Sequence, residues 1–123
     1  MTDTRLQELV QIERVEGVIV VRFLRRTIFD PLLIELIGSH LLELTDQEPN
    51  SRLLINFTNV ESLTSAMHGK LVGIYRAIED EGGRLAFCCV DPFLQQIFHI
   101  CRLPPEIVLY ENEADAVAAL RFP

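Results

Sequence analysis

The chain has 123 residues, 49% of them hydrophobic, which is enough for one domain with a real core and too little for two. Its formal net charge of -7 argues against a nucleic-acid-binding protein, because phosphate backbones bind clustered lysine and arginine. The one adjacent basic pair, Arg25-Arg26, is interpreted as an exposed strand end. No apolar run reaches the roughly 20 residues that span a bilayer, and no leader-like start is present. We therefore expect a cytoplasmic single domain over residues 1–123 with no nucleic-acid partner and no membrane span.

The residues that usually carry catalysis or bind metals form no recognisable constellation. Cys88, Cys89 and Cys101 lack CxxC spacing, and neighbouring strand residues point to opposite faces, so free buried thiols are expected. His68 and His99 fall on different predicted helices. The glycine loops that cradle phosphates and the nucleophile-elbow motif are both missing from the sequence. We predict no catalytic residue, no metal site, no cofactor and no enzymatic activity.

The first part of the chain predicts an antiparallel hairpin. Residues 9–15 alternate imperfectly between apolar and polar, and Val18–Leu24 is rich in β-branched side chains. Glu16-Gly17 between them is the kind of pair that closes a tight turn.

Helix starts are marked by capping residues, twice followed by proline. Asp30-Pro31 begins a helix predicted to run to about Thr45, Asp91-Pro92 begins another, and Asn112 caps the last. Gly82 suits a left-handed C-cap for the helix before it. The predicted buried stripes of the first three helices are, in order, Leu33, Leu36, Ile37, His40, Leu41 and Leu44; Leu71, Ile74, Tyr75 and Ile78; and Phe93, Leu94, Ile97, Phe98 and Cys101.

Three apolar runs between the helices complete an alternating pattern. Leu53–Phe57 is apolar enough for a central strand, and residues 84–90 and Ile107–Tyr110 follow as further strands. Strand and helix in alternation make right-handed parallel crossovers. The fold class is therefore α/β, a single domain with a mixed β-sheet, in which a β-hairpin is followed by three βαβ crossovers and the helices pack on the sheet.

The polar connection that follows the central strand is the candidate functional segment. Ser62, Thr64 and Ser65 lie there, and a helix is predicted to begin near Ser65 or Ala66. A serine at a helix start can be an N-cap that accepts amide hydrogen bonds. The same amides and the positive end of the helix would also stabilise a phosphate on that serine. Both interpretations of Ser65 fit its position.

The order of elements and the residues together resemble the STAS domain, the family that includes the anti-sigma factor antagonists and bacterial regulatory relatives. The most specific part is residues 54–71, where an apolar strand, a short turn ending in valine and a serine-containing helix start follow one another. Gly82–Leu85 and Phe98–Leu103 also match the family's later signature. The resemblance covers nearly the whole chain.

The resemblance implies a protein-binding module that is switched by phosphorylation. The serine phosphorylated in the antagonists aligns with Ser65, and the implied partner is an anti-sigma factor or serine kinase. Thr64 stands where the antagonists carry aspartate, and Met67 where they carry glycine. These differences favour the alternative of a constitutive scaffold or interaction subunit without phosphorylation, in a homodimer or in a larger signalling or transport complex. The predicted partner-binding residues lie along the second helix and its start: Thr64, Ser65, Ala66, Met67, His68, Val72 and Arg76.

Overall fold

The computed structural model describes residues 4–121. Within them the helices are α1 Thr4–Leu9, α2 Pro31–Asp46, α3 Ser65–Asp80, α4 Pro92–Ile100 and α5 Glu113–Leu120. The strands are β1 Val10–Val15, β2 Val18–Phe23, β3 Thr27–Ile28, β4 Arg52–Asn56, β5 Ser62–Leu63, β6 Arg84–Cys88 and β7 Val108–Tyr110.

Five of the strands form one mixed sheet in the order β1-β2-β4-β6-β7. The β1–β2 pair is antiparallel, while β2–β4, β4–β6 and β6–β7 are parallel. The predicted fold class is therefore confirmed: a hairpin and then three βαβ crossovers. Glu16 and Gly17 close the hairpin with φ values of 51° and 82°, the left-handed backbone that a two-residue hairpin turn requires.

The sheet separates two apolar clusters of very different size. Side chains alternate between the faces of a strand, so Ile19 and Val21 pack with α1, α2, α3 and α4, whereas Val18 and Val20 pack under α5. Because both faces of β4 are buried, its sequence is an almost continuous apolar run.

Three elements were not predicted, α1, β3 and β5, because each is very short. Residue 9 was assigned to the first strand, but it ends the six-residue helix α1, whose Leu6 and Leu9 are buried. Strands β3 and β5 form a separate two-residue parallel ladder. Neither six residues of helix nor two residues of strand are long enough to show a clear hydrophobic period.

The predicted helix caps are confirmed, but two buried faces differ from the prediction. Asp30, Asp91 and Asn112 each accept a hydrogen bond from an amide of the helix they begin, and Gly82 has φ +76°. Helix α2 buries mainly Ile34, Ile37, Gly38, Leu41 and Thr45, so its predicted stripe is rotated by about one position. Helix α4 buries only Leu94 and Phe98.

Part of the predicted α4 stripe is therefore wrong. Phe93 is 61% exposed and Cys101 is exposed as well. The helix has only nine residues, and a short helix that lies on a sheet buries a narrow stripe of its surface. None of the helices within residues 4–121 is long and apolar enough to cross a membrane.

Candidate functional site

The candidate site begins where β4 leaves the sheet and the chain turns towards α3. The Phe57 amide donates to the Cys88 carbonyl over 3.0 Å, and the Val60 amide donates to the Phe57 carbonyl over 2.9 Å. The Asn56 side-chain oxygen accepts from the Thr58 amide at 2.9 Å. These hydrogen bonds and the buried ring of Phe57 fix the backbone of residues 56–60, which precedes the segment with Ser62, Thr64 and Ser65.

The small β3–β5 ladder fixes the second half of this connection. The Arg26 carbonyl accepts hydrogen bonds from the amides of Glu61 at 2.8 Å and Ser62 at 3.3 Å. Ile28 then pairs with Leu63. The loop after β2 is thereby joined to the segment that enters α3.

Thr64, and not Ser65, is the N-cap of α3. Thr64 has extended backbone angles, φ -77° and ψ 162°, and its side-chain oxygen accepts from the Met67 amide at 3.2 Å. Ser65 is the first residue of the helix and is exposed. Its hydroxyl makes no side-chain hydrogen bond to any of residues 4–121. The capping interpretation of Ser65 is wrong, since the threonine before it has that role.

Capping by Thr64 predicts a clear difference between two alanine variants. Thr64→Ala should lower the free energy of unfolding by about 1 kcal/mol, the usual loss for an N-cap hydroxyl. Ser65→Ala should change it by less than about 0.5 kcal/mol, as for exposed sites without contacts. Urea unfolding of both variants measures the difference, and equal losses would contradict the assignment of the cap.

Met67 and His68 lie in the core beneath the start of α3. Met67 is 0% exposed and His68 is 6% exposed. The His68 ring packs edge-on against Phe98 with a centroid distance of 5.3 Å, and neither ring nitrogen has a hydrogen-bond partner among residues 4–121. The expectation that His68 faces outward with Val72 and Arg76 is wrong, and Met67 is no surface residue either.

Burial lowers the pKa of His68 below its usual 6.5, and this predicts a pH dependence of stability. The unfolded chain then binds a proton that the folded chain resists, so stability is retained above about pH 6.5 and falls as the pH drops below it. One proton limits this slope to about 1.4 kcal/mol per pH unit. Unfolding of His68→Leu between pH 7 and 5 should show a smaller loss than the wild type, with the exposed His99→Gln as control. Parallel curves for wild type and His68→Leu would contradict the prediction.

The exposed face of α3 carries small residues at its start. Ala66, Gly69, Gly73 and Arg76 are exposed, and Val72 is half-buried. A Cβ atom added at Gly69 or Gly73 would meet nothing within 4 Å. These two glycines face outward and do not pack against a neighbouring element. Gly69 and Gly73 follow Ser65 at distances of four and eight residues in the sequence, and this helical spacing could have revealed them as part of its face.

A polar network at the same edge of the sheet went unpredicted. The Arg22 guanidinium makes two hydrogen bonds of 2.8 Å to the Glu113 carboxylate, and it also donates to Glu13 at 2.8 Å. The Asn56 amide donates to Glu113 at 3.0 Å. The hydrogen bonds from Arg22 lower the pKa of Glu113. A carboxylate held ionised in this way fastens α5 to the sheet and is poorly suited to accept a proton in catalysis.

The expectation of free buried thiols is confirmed for Cys88 and is wrong for Cys101. Cys88 is buried, Cys89 is half-buried and Cys101 is exposed, and burial raises the pKa of the Cys88 thiol. Within residues 4–121 no group of three or more histidine, cysteine, aspartate or glutamate side chains could hold a metal ion.

The fold and the site together define a class of small α/β domain: a mixed sheet that presents an unbonded serine hydroxyl at a strand-to-helix junction. A family model described as the STAS domain matches residues 10–116. The chain belongs to the STAS domain family. The STAS fold supports a regulatory role in protein interaction.

Known relatives share the fold over almost the whole chain. An anti-sigma F factor antagonist of Paenibacillus polymyxa is 22% identical over 111 residues, which cover 90% of this chain and 93% of the relative. A solved STAS domain protein of Planctomyces limnophilus, described as an anti-sigma-factor antagonist, superposes with a TM-score of 0.78 at 21% identity, covering 90% and 97% of the two chains. The Bacillus cell fate determinant SpoIIAA in its phosphorylated form superposes with a TM-score of 0.67 at 20% identity, covering 89% and 97%.

Proposed function

We propose that this chain is a switchable protein-binding module of the anti-sigma factor antagonist type, and that phosphorylation of Ser65 weakens its binding. The unphosphorylated form would bind an anti-sigma factor or a related ATP-dependent serine kinase. The observation that carries this proposal is the exposed, unbonded hydroxyl of Ser65 at the first position of α3, where Thr64 already serves as the cap.

The start of α3 suits a phosphate electrostatically. The first amides of a helix have no partner within it, and the helix dipole favours negative charge there. A phosphoserine at Ser65 adds a charge of about -1.5 to -2. The folded domain can therefore tolerate the modification, while a partner that covers Ser65 meets new charge and bulk.

The proposed partner surface is the exposed side of α3 around Ser65. Thr64, Ser65 and Ala66 form its end, and Val72 and Arg76 extend it along the helix. Gly69 and Gly73 carry no side chain, so a partner's backbone could approach closely between them. Met67 and His68 act from below, as core residues that hold the first turn of the helix in place.

A constitutive scaffold without phosphorylation is the second candidate function. It is favoured by Thr64, whose hydroxyl is engaged with the Met67 amide at 3.2 Å and supplies no charge beside Ser65. On this account the same surface binds its partner permanently. Ser65→Asp should weaken binding at least tenfold, or about 1.4 kcal/mol, on either account, so the two candidates are distinguished by whether Ser65 carries phosphate.

The test is phosphorylation by purified serine kinases of the anti-sigma factor type from the native host, followed by mass spectrometry. Ser62 is the matched control, because it is exposed three residues earlier in the same segment. We expect phosphate on Ser65 in the wild type and in Ser62→Ala, and none in Ser65→Ala. Phosphate on Ser62, or on neither serine, would contradict the switch.

A further inference from the structure

Two adjacent thiols, those of Cys88 and Cys89, lie on the same side of the sheet. Side chains that follow one another in a strand point to opposite faces, and the sequence therefore predicted that these two thiols lie apart. Strand β6 ends at Cys88, however, and both cysteines pack in the apolar cluster beneath α5 that includes Ala116 and Val117. The expectation of opposite faces is wrong, and the pair is a vicinal dithiol.

The backbone of Cys89 turns its side chain to the face that Cys88 occupies. Its φ of 59° lies in the left-handed region, where the Cβ atom comes too close to the following carbonyl oxygen. Glycine would adopt this conformation without that cost, yet the chain carries cysteine directly after the strand. Other residues than glycine that are held in this region cluster at functional sites. The backbone of Cys89 therefore points to a function for the pair.

The two thiols interact with each other and differ in their access to solvent. Burial is the main cause of the raised pKa of the Cys88 thiol, and charge repulsion by Cys89 and a hydrogen bond with it raise this pKa further. Cys88 is buried and Cys89 is half-buried, so a reagent from solvent reaches the Cys89 sulfur first. A solvent-accessible cysteine beside a second, resolving cysteine is the arrangement found in oxidation-sensitive proteins.

The peptide unit between the two cysteines is hydrogen-bonded on both sides. Its carbonyl, which belongs to Cys88, accepts the Phe57 amide at 3.0 Å, and its N–H, which belongs to Cys89, donates to the Tyr110 carbonyl at 3.1 Å. The first bond holds the connection that runs from β4 towards Ser65. The second follows the last β6–β7 pair, Cys88 with Tyr110. A rotation of this peptide unit therefore acts directly on the connection that leads to α3.

A disulfide between adjacent cysteines closes a small ring that contains this same peptide unit. Consecutive Cα atoms are about 3.8 Å apart, whereas the Cα atoms of ordinary disulfides are about 4.4 to 6.8 Å apart. The ring closes only if the peptide unit rotates, and the rotation weakens the hydrogen bonds from Phe57 and to Tyr110. A disulfide strained in this way is easily reduced, as a reversible modification requires.

We propose that Cys88 and Cys89 form a peroxide-sensitive vicinal dithiol, which closes reversibly to a disulfide and thereby loosens the connection between β4 and α3. The Cys89 thiolate attacks one oxygen of the peroxide, the O–O bond breaks, and the other oxygen leaves as hydroxide and takes up a proton. The Cys88 sulfur then attacks the sulfur of the Cys89 sulfenic acid. The S–S bond forms, the S–O bond breaks, and water leaves with the proton of Cys88. The dithiol has given two electrons to the peroxide, and a soluble dithiol reductant returns them.

The first experiment treats the reduced full chain with hydrogen peroxide, alkylates the remaining thiols under denaturing conditions and maps the products by mass spectrometry. The chain carries Cys101→Ser, because this exposed cysteine could link two chains. We expect the peptide with Cys88 and Cys89 to lose two hydrogen atoms, to resist alkylation and to recover both thiols with dithiothreitol. The link should be absent from Cys88→Ser and from Cys89→Ser. No such link, a link only between two chains, or sulfinic acid on Cys89 as the sole product would overturn the proposal.

The second experiment measures amide hydrogen exchange in the reduced and the oxidised chain by NMR. Because local opening controls exchange, the Phe57 and Cys89 amides should exchange about tenfold faster or more after oxidation and return with dithiothreitol. The control is the Arg84 amide, which donates to the Ser51 carbonyl at the other end of β6 and should change less than about threefold. Cys89→Ser treated with peroxide should show no change. Equal exchange of the Phe57 amide in the two forms would overturn the proposed loosening.

The inference goes beyond the proposed function and does not depend on it. Phosphate on Ser65 without a disulfide between Cys88 and Cys89 would contradict only the dithiol. A reversible disulfide in a chain that takes no phosphate on Ser65 would contradict only the switch.

Discussion

Phe57→Ala is expected to lower the free energy of unfolding by about 3 to 5 kcal/mol, the usual loss for a large aromatic side chain removed from a core. Phe57 is 0% exposed and lies at the centre of the aromatic cluster. Its ring centroid is 5.5 Å from that of Phe23, 4.9 Å from Phe87 and 5.6 Å from Phe98. The three neighbouring rings are held by β2, β6 and α4, so they cannot fill the cavity left by Phe57→Ala unless those elements move.

The loss should also reach the candidate site. Phe98 contacts both Phe57 and the buried His68 under the first turn of α3. Urea unfolding measures the stability, and hydrogen exchange of the α3 amides measures the local effect. The exposed Phe93→Ala is the control and should cost less than about 0.5 kcal/mol. A loss in Phe57→Ala as small as that of the control would contradict the assigned core.

Gly83→Ala is expected to lower the free energy of unfolding by about 2 to 3 kcal/mol, because there is no space at this position for the added methyl group. A Cβ atom there would lie 2.3 Å from the Ser51 carbonyl oxygen and 2.9 Å from Cγ2 of Ile78. The first of these atoms is backbone, and it accepts the Arg84 amide at 2.9 Å. The start of β6 must therefore move to admit a side chain.

Gly73→Ala is the matched control for this prediction. An added Cβ at Gly73 meets nothing within 4 Å, and alanine exceeds glycine in helix propensity by about 1 kcal/mol. Thermal unfolding should show Gly73→Ala at or above the wild-type midpoint and Gly83→Ala well below it. A Gly83→Ala midpoint within one or two degrees of wild type would correspond to less than about 0.5 kcal/mol and would contradict the close approach.

The sequence predicted the sheet and the main helices because their signals are long and local. Asp30 and Asp91 are followed by proline, and Gly82 has the left-handed backbone that its sequence context predicted. Strand β4 combined an apolar run with flanking loop residues. Helix α1 and the β3–β5 ladder carry no such signal, since their positions depend on buried contacts made by Leu6, Leu9 and Ile28.

The site was predicted less completely than the fold. The hydrophobic periodicity placed Ser65 near the start of a helix. Only the structure shows that Thr64 is the N-cap, so that the hydroxyl of Ser65 has no capping role. His68, Val72 and Arg76 are four residues apart, and the sequence therefore suggested one shared exposed face. Each step of four residues turns by about 40° around the helix axis, so this row runs from the buried His68 to the exposed Arg76. The contact between Arg22 and Glu113 joins residues 91 positions apart in the chain. A local sequence pattern cannot predict such a pair.

The arrangement concentrates features for binding at one edge of the domain. The β3–β5 ladder holds the loop after β2 against the segment before α3, and the unbonded hydroxyl of Ser65 lies at the start of that helix beside its exposed face. The core residues Met67 and His68 support it from beneath. Such a surface is suited to recognising a protein, and the proposed phosphorylation of Ser65 would regulate that contact.

The most direct test of the proposed switch compares the chain with and without phosphoserine incorporated at position 65. Its affinity for the purified anti-sigma factor kinase that phosphorylates it is measured by calorimetry, with phosphoserine at position 62 as control. The proposed switch predicts binding at least tenfold weaker for the Ser65-phosphorylated chain, about 1.4 kcal/mol, and little change for the control. Equal affinities of the phosphorylated and unphosphorylated chains would contradict it.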